Sequence, residues 1–279
     1  MSLHTEVERA SIAEITPPKT NISSYVGEII KIAYEFQDVK TSWGIEAYSQ
    51  EDFHEGSPKH RLISFLAAHG FWTEIHLNDE VLEDVLWHGA ENSKVGKTLS
   101  KIGHQRTIFN LNADCARVFK SMSPFQLQFY LTQQNFSMAN KKNHTTVMLF
   151  NDATKEMVNG ALQYYIDEAD SIRKNPYDLG LMFCPEKPVE DTYKGFKSPE
   201  KYGSYGAYFP TISYEHCGKL SPYNIYDALP AMDNAGILCK KITTRGGVMK
   251  SGELDFEEVR KFLIQIRKYH NVFVHEGIK

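Results

Sequence analysis

The chain has 279 residues, a formal net charge of −4, 42% hydrophobic residues and 24% charged residues, an ordinary balance for a folded protein of one large domain or two small ones. The slight acidity gives no reason to expect nucleic acid or an anionic membrane as partner, and no apolar run approaches the roughly 20 residues that cross a bilayer. The N-terminal residues are polar without a signal-peptide core. Cys115, Cys184, Cys217 and Cys239 lie far apart without a CxxC pair, which reads as reduced thiols in a cytoplasmic protein.

Residues 1–20 read as a flexible arm closed by Pro17 and Pro18. Asn21 is placed to cap a helix over 22–36, with Val26, Ile29, Ile30, Ala33 and Phe36 on its apolar side. Ile45 to Tyr48 reads as a short strand. Ser57 followed by Pro58 starts a second helix, since proline suits the first helical position, and Gly70 stops it. Asn78 or Asp79 starts a third, with Val81, Leu82, Val85 and Leu86 before Gly89, and a fourth runs from Ser93 to Gly103. Residues 21–104 therefore read as a helical region.

The pattern changes near residue 105. Thr107 to Leu111 reads as a strand, Asp114 caps a short helix, and Ser123 with Gln126 makes a capping-box start for another. Residues 145–184 give the clearest signal. Two short apolar runs, Val147 to Phe150 and Leu179 to Cys184, flank a segment with Met157, Val158, Ala161, Leu162 and Tyr165 at helical spacing. Strand, helix, strand over this length is a βαβ crossover with parallel strands. Residues 185–205 form a long Pro-, Lys- and Gly-rich loop, read as a lid. Further strands are expected at Tyr208 to Tyr214, Ile237 to Thr243 and Val272 to Val274. Helices are expected at Pro222 to Leu229 and after Asp255. The fold class that follows is α+β with an α/β-like C-terminal part. A helical region at 21–104 precedes an α/β region at 105–279, built on a mixed or mostly parallel sheet flanked by helices.

In such a sheet the ligand site lies outside the carboxyl ends of the strands. Cys115 falls there, at the start of a predicted helix whose dipole favours a thiolate. His216 follows a later strand as the candidate base, and Asp227 or Asn224 is placed to orient it. Asn112, Asp114, Asn151 and Asp152 sit at the same edge as candidate substrate-binding groups, although helix capping asks for the same residue types. The reading is an intracellular hydrolase or group-transfer enzyme with a cysteine nucleophile. The alternatives are a non-catalytic interaction or assembly protein of viral or mobile-element type, and a metal-dependent phosphoryl- or nucleotidyl-handling enzyme using Asp114 and Asp152.

No cofactor and no metal ligand set is expected. His54, His60, His69, His76 and His88 form no HxH or HExxH pair, and the stretch from Gly89 to Thr98 has the wrong spacing for a P-loop. A protein partner or a homo-oligomer stays open. No family signature surrounds these residues.

Overall fold

The computed structural model describes residues 9–18, 20–89, 92–111, 145–150, 178–183, 213–216, 220–234 and 241–276. Eight parallel strands form a closed barrel. They are β1 (Arg9–Ile15), β2 (Thr41–Ala47), β3 (Thr73–Leu77), β4 (Arg106–Asn110), β5 (Thr145–Phe150), β6 (Asp178–Phe183), β7 (Ser213–His216) and β8 (Lys241–Thr244). Each strand pairs in parallel with the next, and β8 pairs with β1 through Ala10 opposite Ile242 and Ser11 opposite Thr243. Closure leaves no free edge in this sheet.

The described helices are α1 (Ile22–Glu35), α2 (Pro58–Ala68), α3 (Asp79–His88), α4 (Lys94–Ile102), α5 (Ile225–Asn234) and α6 (Phe256–Glu276). Several boundaries follow from local chemistry. Ser57 Oγ accepts from the His60 amide at the start of α2, and Ser93 Oγ accepts from the Gly96 amide at the start of α4. Gly103 ends α4 in the left-handed conformation that glycine adopts freely. Among the described residues no helix is long and apolar enough to cross a membrane.

The packed core lies between barrel and helices. The strands turn Ile12, Trp43, Ile45, Ile75, Leu77, Phe109 and Ile242 outward, all fully buried. They belong to one apolar cluster with Ile29 and Ile32 of α1, Leu62 and Leu66 of α2, Val81 and Val85 of α3, Leu99 of α4, and Phe262 and Ile266 of α6. Each such aliphatic side chain contributes about 1.5–3 kcal/mol by leaving water. On the outside, α6 is tied to the α1 region where β8 meets β1. Arg260 reaches Glu28 and Glu35, and Arg267 grips Asp38 through two nitrogens at 2.6 and 2.5 Å.

Three expectations about organisation are corrected. Residues 21–104 are not a helical region: β2 and β3 alternate with α1 to α4 there, and Thr73–Leu77 was not recognised as a strand. The arm assigned to residues 1–20 contains β1, where Ala10, Ile12, Ala13 and Ile15 are fully buried. The boundary near 104 falls between β3 and β4, which are neighbours in the barrel. Val272 to Val274, expected as a strand, lies inside α6. The helical period starting at Asp255 is not interrupted there, and a short β-branched run does not override it. The βαβ expectation holds at both strands: β5 and β6 pair in parallel from Thr145 opposite Asp178 to Phe150 opposite Phe183. The helix expected between them, and the loop at 185–205, lie outside the described residues.

Candidate functional site

The inner wall of the barrel carries the polar groups. Along β2 the inward residues are Ser42, Gly44 and Glu46, and along β3 they are Glu74 and His76, with Asn78 continuing the alternation. On β4 they are Arg106, the apolar Ile108 and Asn110. Ser42, Glu46, Glu74, His76, Asn78 and Arg106 are all buried.

The deepest element is Glu74. Its Oε1 accepts from Arg106 Nη1 at 2.5 Å, and its Oε2 accepts from Ser11 Oγ at 2.6 Å. Ser11 is on β1 and Glu74 on β3, so this bond crosses β2 on its inner face. It can do so because the β2 residue in register with Glu74 is Gly44, which has no side chain. Burial pushes the Glu74 carboxyl up. The Arg106 charge, His76 and the Ser11 hydroxyl outweigh it and hold the group well below the usual carboxylate range.

His76 lies one step nearer the carboxyl ends of the strands. Its Nε2 is 3.7 Å from Glu74 Oε2 and its Nδ1 is 3.4 Å from Glu46 Oε1. Neither contact has hydrogen-bond geometry, and the ring is fully buried. Gly44 makes room here too, since a β-carbon at that position would stand 2.7 Å from His76 Nε2.

Glu46 sits toward the mouth. Asn78 Nδ2 donates to its Oε2 at 2.5 Å, and Arg245 Nη2 to its Oε1 at 3.1 Å. Asn78 occupies the N-cap position of α3 but makes no side-chain cap. Its amide group also donates to the carbonyls of His76 and Ala47, and its Oδ1 accepts from Asn110 Nδ2. Arg245 follows β8, and its loop is held by close backbone packing. Thr244 Oγ1 donates to the Leu220 carbonyl at 2.6 Å, and a β-carbon on Gly247 would overlap that oxygen at 1.9 Å. Asn110 and Arg245 are the least buried members of this group, which marks the open end.

A column therefore runs from the barrel interior to its mouth: Arg106, Glu74, His76, Glu46, then Asn78, Asn110 and Arg245. It combines a buried carboxylate, an imidazole in register with it, and amide and guanidinium donors around it. Among the described residues no group of three or more His, Cys, Asp or Glu side chains is arranged to hold a metal ion.

Of the site residues singled out in the sequence, only His216, Asp227 and Asn224 are among the described residues. Cys115, Asn112, Asp114, Asn151 and Asp152 fall outside the described residues. His216 is the last residue of β7. Asp227 is exposed in the first turn of α5, and Asn224 Oδ1 caps the Ser221 amide just before that helix. A signal for the actual column was present in Thr73–Leu77 and Thr41–Ala47. In both, polar or small residues occupy every second position between apolar ones, as a strand with a polar inner face requires.

Eight parallel strands with a site at their carboxyl ends define a TIM-type barrel. The closed barrel of triosephosphate isomerase from Bartonella henselae superimposes with a TM-score of 0.53 at 10% sequence identity, over 94% of this chain and 99% of that one. N-(5'-phosphoribosyl)anthranilate isomerase from Pyrococcus furiosus gives a TM-score of 0.49 at 11% identity over 93% and 98% of the two chains. Phosphoribosyl anthranilate isomerase from Thermococcus kodakaraensis gives 0.47 at 12% over 94% and 99%. No family model matches the sequence, and no curated protein matches it.

The cysteine-nucleophile hydrolase or transferase is corrected by these findings. The fold shared with triosephosphate isomerase is a closed parallel barrel, and nothing in it supports a thiol nucleophile.

Proposed function

We propose that the protein is a TIM-barrel enzyme that moves a proton on a small anionic substrate, an isomerase-type reaction, with Glu46 as general base. The observation that carries the reading is the setting of Glu46. Its carboxylate is buried near the carboxyl ends of the strands, on a rigid wall, with Asn78 and Arg245 fixing both oxygens. Active sites of this fold are built at that end, and a held carboxylate is a common proton acceptor.

The surrounding groups take complementary roles. Arg245 is the cation for the anionic part of the substrate. Asn110, bonded to Asn78 at the open end, offers an amide to a carbonyl or hydroxyl oxygen. Removing a proton next to a carbonyl leaves negative charge on oxygen, and donors held in place stabilise that charge without reorganising. The barrel wall excludes water from one side of Glu46. Four cysteines far apart in sequence and without a CxxC pair fit a cytoplasmic setting.

The test is deuterium incorporation in heavy water, followed by proton NMR, across a panel of α-hydroxy carbonyl phosphates and carboxylates that starts with dihydroxyacetone phosphate. Wild-type protein is expected to exchange the carbon-bound proton of at least one compound. Glu46→Gln is expected to slow that exchange about 10²–10⁴-fold, the usual contribution of a general base. Exchange at the wild-type rate in Glu46→Gln, or no exchange anywhere in the panel, overturns the reading.

A further inference from the structure

His76 and Glu74 are fully buried beside Glu46, and the proton-transfer reading leaves them unused. A neutral imidazole has one N–H and one bare nitrogen. Here each ring nitrogen faces a carboxylate oxygen, Glu46 at 3.4 Å and Glu74 at 3.7 Å. A neutral ring therefore serves only one of them at a time. Glu74 is pinned through both oxygens by Arg106 and Ser11, whereas Glu46 stands toward the mouth. The described groups that bear on the ring are Glu46 from β2, Glu74 from its own strand, Arg106 from β4 behind Glu74, and Arg245 from beyond β8 behind Glu46.

We propose that His76 is a second station for the proton that Glu46 takes up, with Glu74 and Arg106 positioning the ring to receive it. The inference rests on Glu46 being the base. In the resting state the ring proton is on Nε2, toward Glu74, and Nδ1 carries a lone pair toward Glu46. When Glu46 takes a proton from carbon, the substrate C–H bond breaks and its electron pair stays on the substrate. The Glu46 O–H bond can then break in turn, leaving its electron pair on the carboxylate, while an N–H bond forms at Nδ1. The imidazolium that results lies between two carboxylates, and no net charge is created. Return of the proton by the same path completes the transfer at a second carbon. Gly44 is part of the device, because any side chain there displaces the ring.

The test uses the full chain labelled with ¹⁵N-histidine, with the His76 ring signals assigned by their loss in His76→Gln. The ring proton is expected on Nε2 in the wild type, to move to Nδ1 in Glu74→Gln, and to stay on Nε2 in Glu46→Gln. A ring proton that does not move in Glu74→Gln overturns the proposal, as does one already on Nδ1 in the wild type. A second readout keeps the test decisive if Glu74→Gln does not fold. His76→Gln retains amide hydrogen bonding but cannot accept a proton. It is expected to keep the wild-type melting temperature within a few degrees and to slow deuterium exchange into the active panel compound at least tenfold. Exchange at the wild-type rate in His76→Gln shows a purely structural ring and overturns the proposal. Failure of the Glu46 reading is separate: Glu46→Gln then exchanges like the wild type, whatever the ring proton does.

Discussion

Along β2 and β3 the two faces of the same strand meet opposite environments. The outer face carries Trp43, Ile45, Ile75 and Leu77 against α1 to α4, and the inner face carries Glu46, Glu74 and His76 against one another. Both faces are closed to water. The outer face gains by hydrophobic burial, which is additive and tolerant of exchange. The inner face begins at a loss, because each buried charge has given up its hydration. It persists only because every charge has a partner: Glu74 with Arg106, and Glu46 with Arg245. A barrel interior is commonly filled with branched aliphatic residues. Here the inner faces of β2, β3 and β4 carry ion pairs beside the apolar Ile108, an arrangement costly for stability.

The sharpest way to break this contrast is to remove one charge from the inner face. Arg106→Met leaves Glu74 buried beside His76 without its cation and is expected to cost about 3–5 kcal/mol in urea unfolding. The double change Glu74→Met with Arg106→Met removes both charges and is expected to recover most of that loss. A double variant as unstable as the single one shows that shape rather than charge holds this layer.

Overfilling comes next. Gly44→Ala puts a methyl group 2.7 Å from His76 Nε2 and 3.2 Å from the Ala13 α-carbon, and is expected to cost about 1–3 kcal/mol. Its ring signals should shift while those of the exposed His88 stay in place. Unchanged stability would mean that the inner face yields as easily as the outer one.

The pH dependence of stability separates the faces without mutation, since only the inner one titrates. The folded-state value of Glu74 is lowered, so its contribution is fully present above the unfolded carboxylate value of about 4.3. It is lost progressively as the pH falls from there toward the lower folded value. Glu74→Gln is expected to flatten that acid limb in a series of unfolding midpoints, and an unchanged limb would place the acid sensitivity elsewhere.

The smallest effect belongs to the outer surface. Arg267→Ala removes the pair with Asp38 and the stacking of its guanidinium over Phe36 at 4.4 Å. The ion pair is partly exposed, so the expected loss is about 0.2–1 kcal/mol and falls with added salt. A larger loss would mean that the seam between α1 and α6 is a weak point of the barrel.

Much of the local structure was legible from residue order. Ser57, Ser93 and Gly103 delimit their helices because capping depends on a few adjacent residues. The apolar runs at 147–150 and 179–184 read as strands because they are too short for a buried helix, and β5 and β6 pair there as far as Phe183. Thr73–Leu77 escaped because its alternation puts Glu74 and His76 in a buried strand, and a strand with charges on one face normally shows that face to water. Asn78 stands where a cap stands, and only the fold shows its amide turned to Glu46 instead.

What the sequence determined by itself was therefore local: which segments bury an apolar face, where several helices begin and end, and that two parallel strands lie within 145–184. Closure of β8 on β1, the meeting of Ser11 with Glu74 across Gly44, and the approach of Arg245 to a carboxylate 199 positions earlier were decided by tertiary structure alone. The physical reason is range. Capping and periodicity act over a few residues, while a buried charge is tolerable only with a partner, and that partner is brought in by the curvature of the whole sheet.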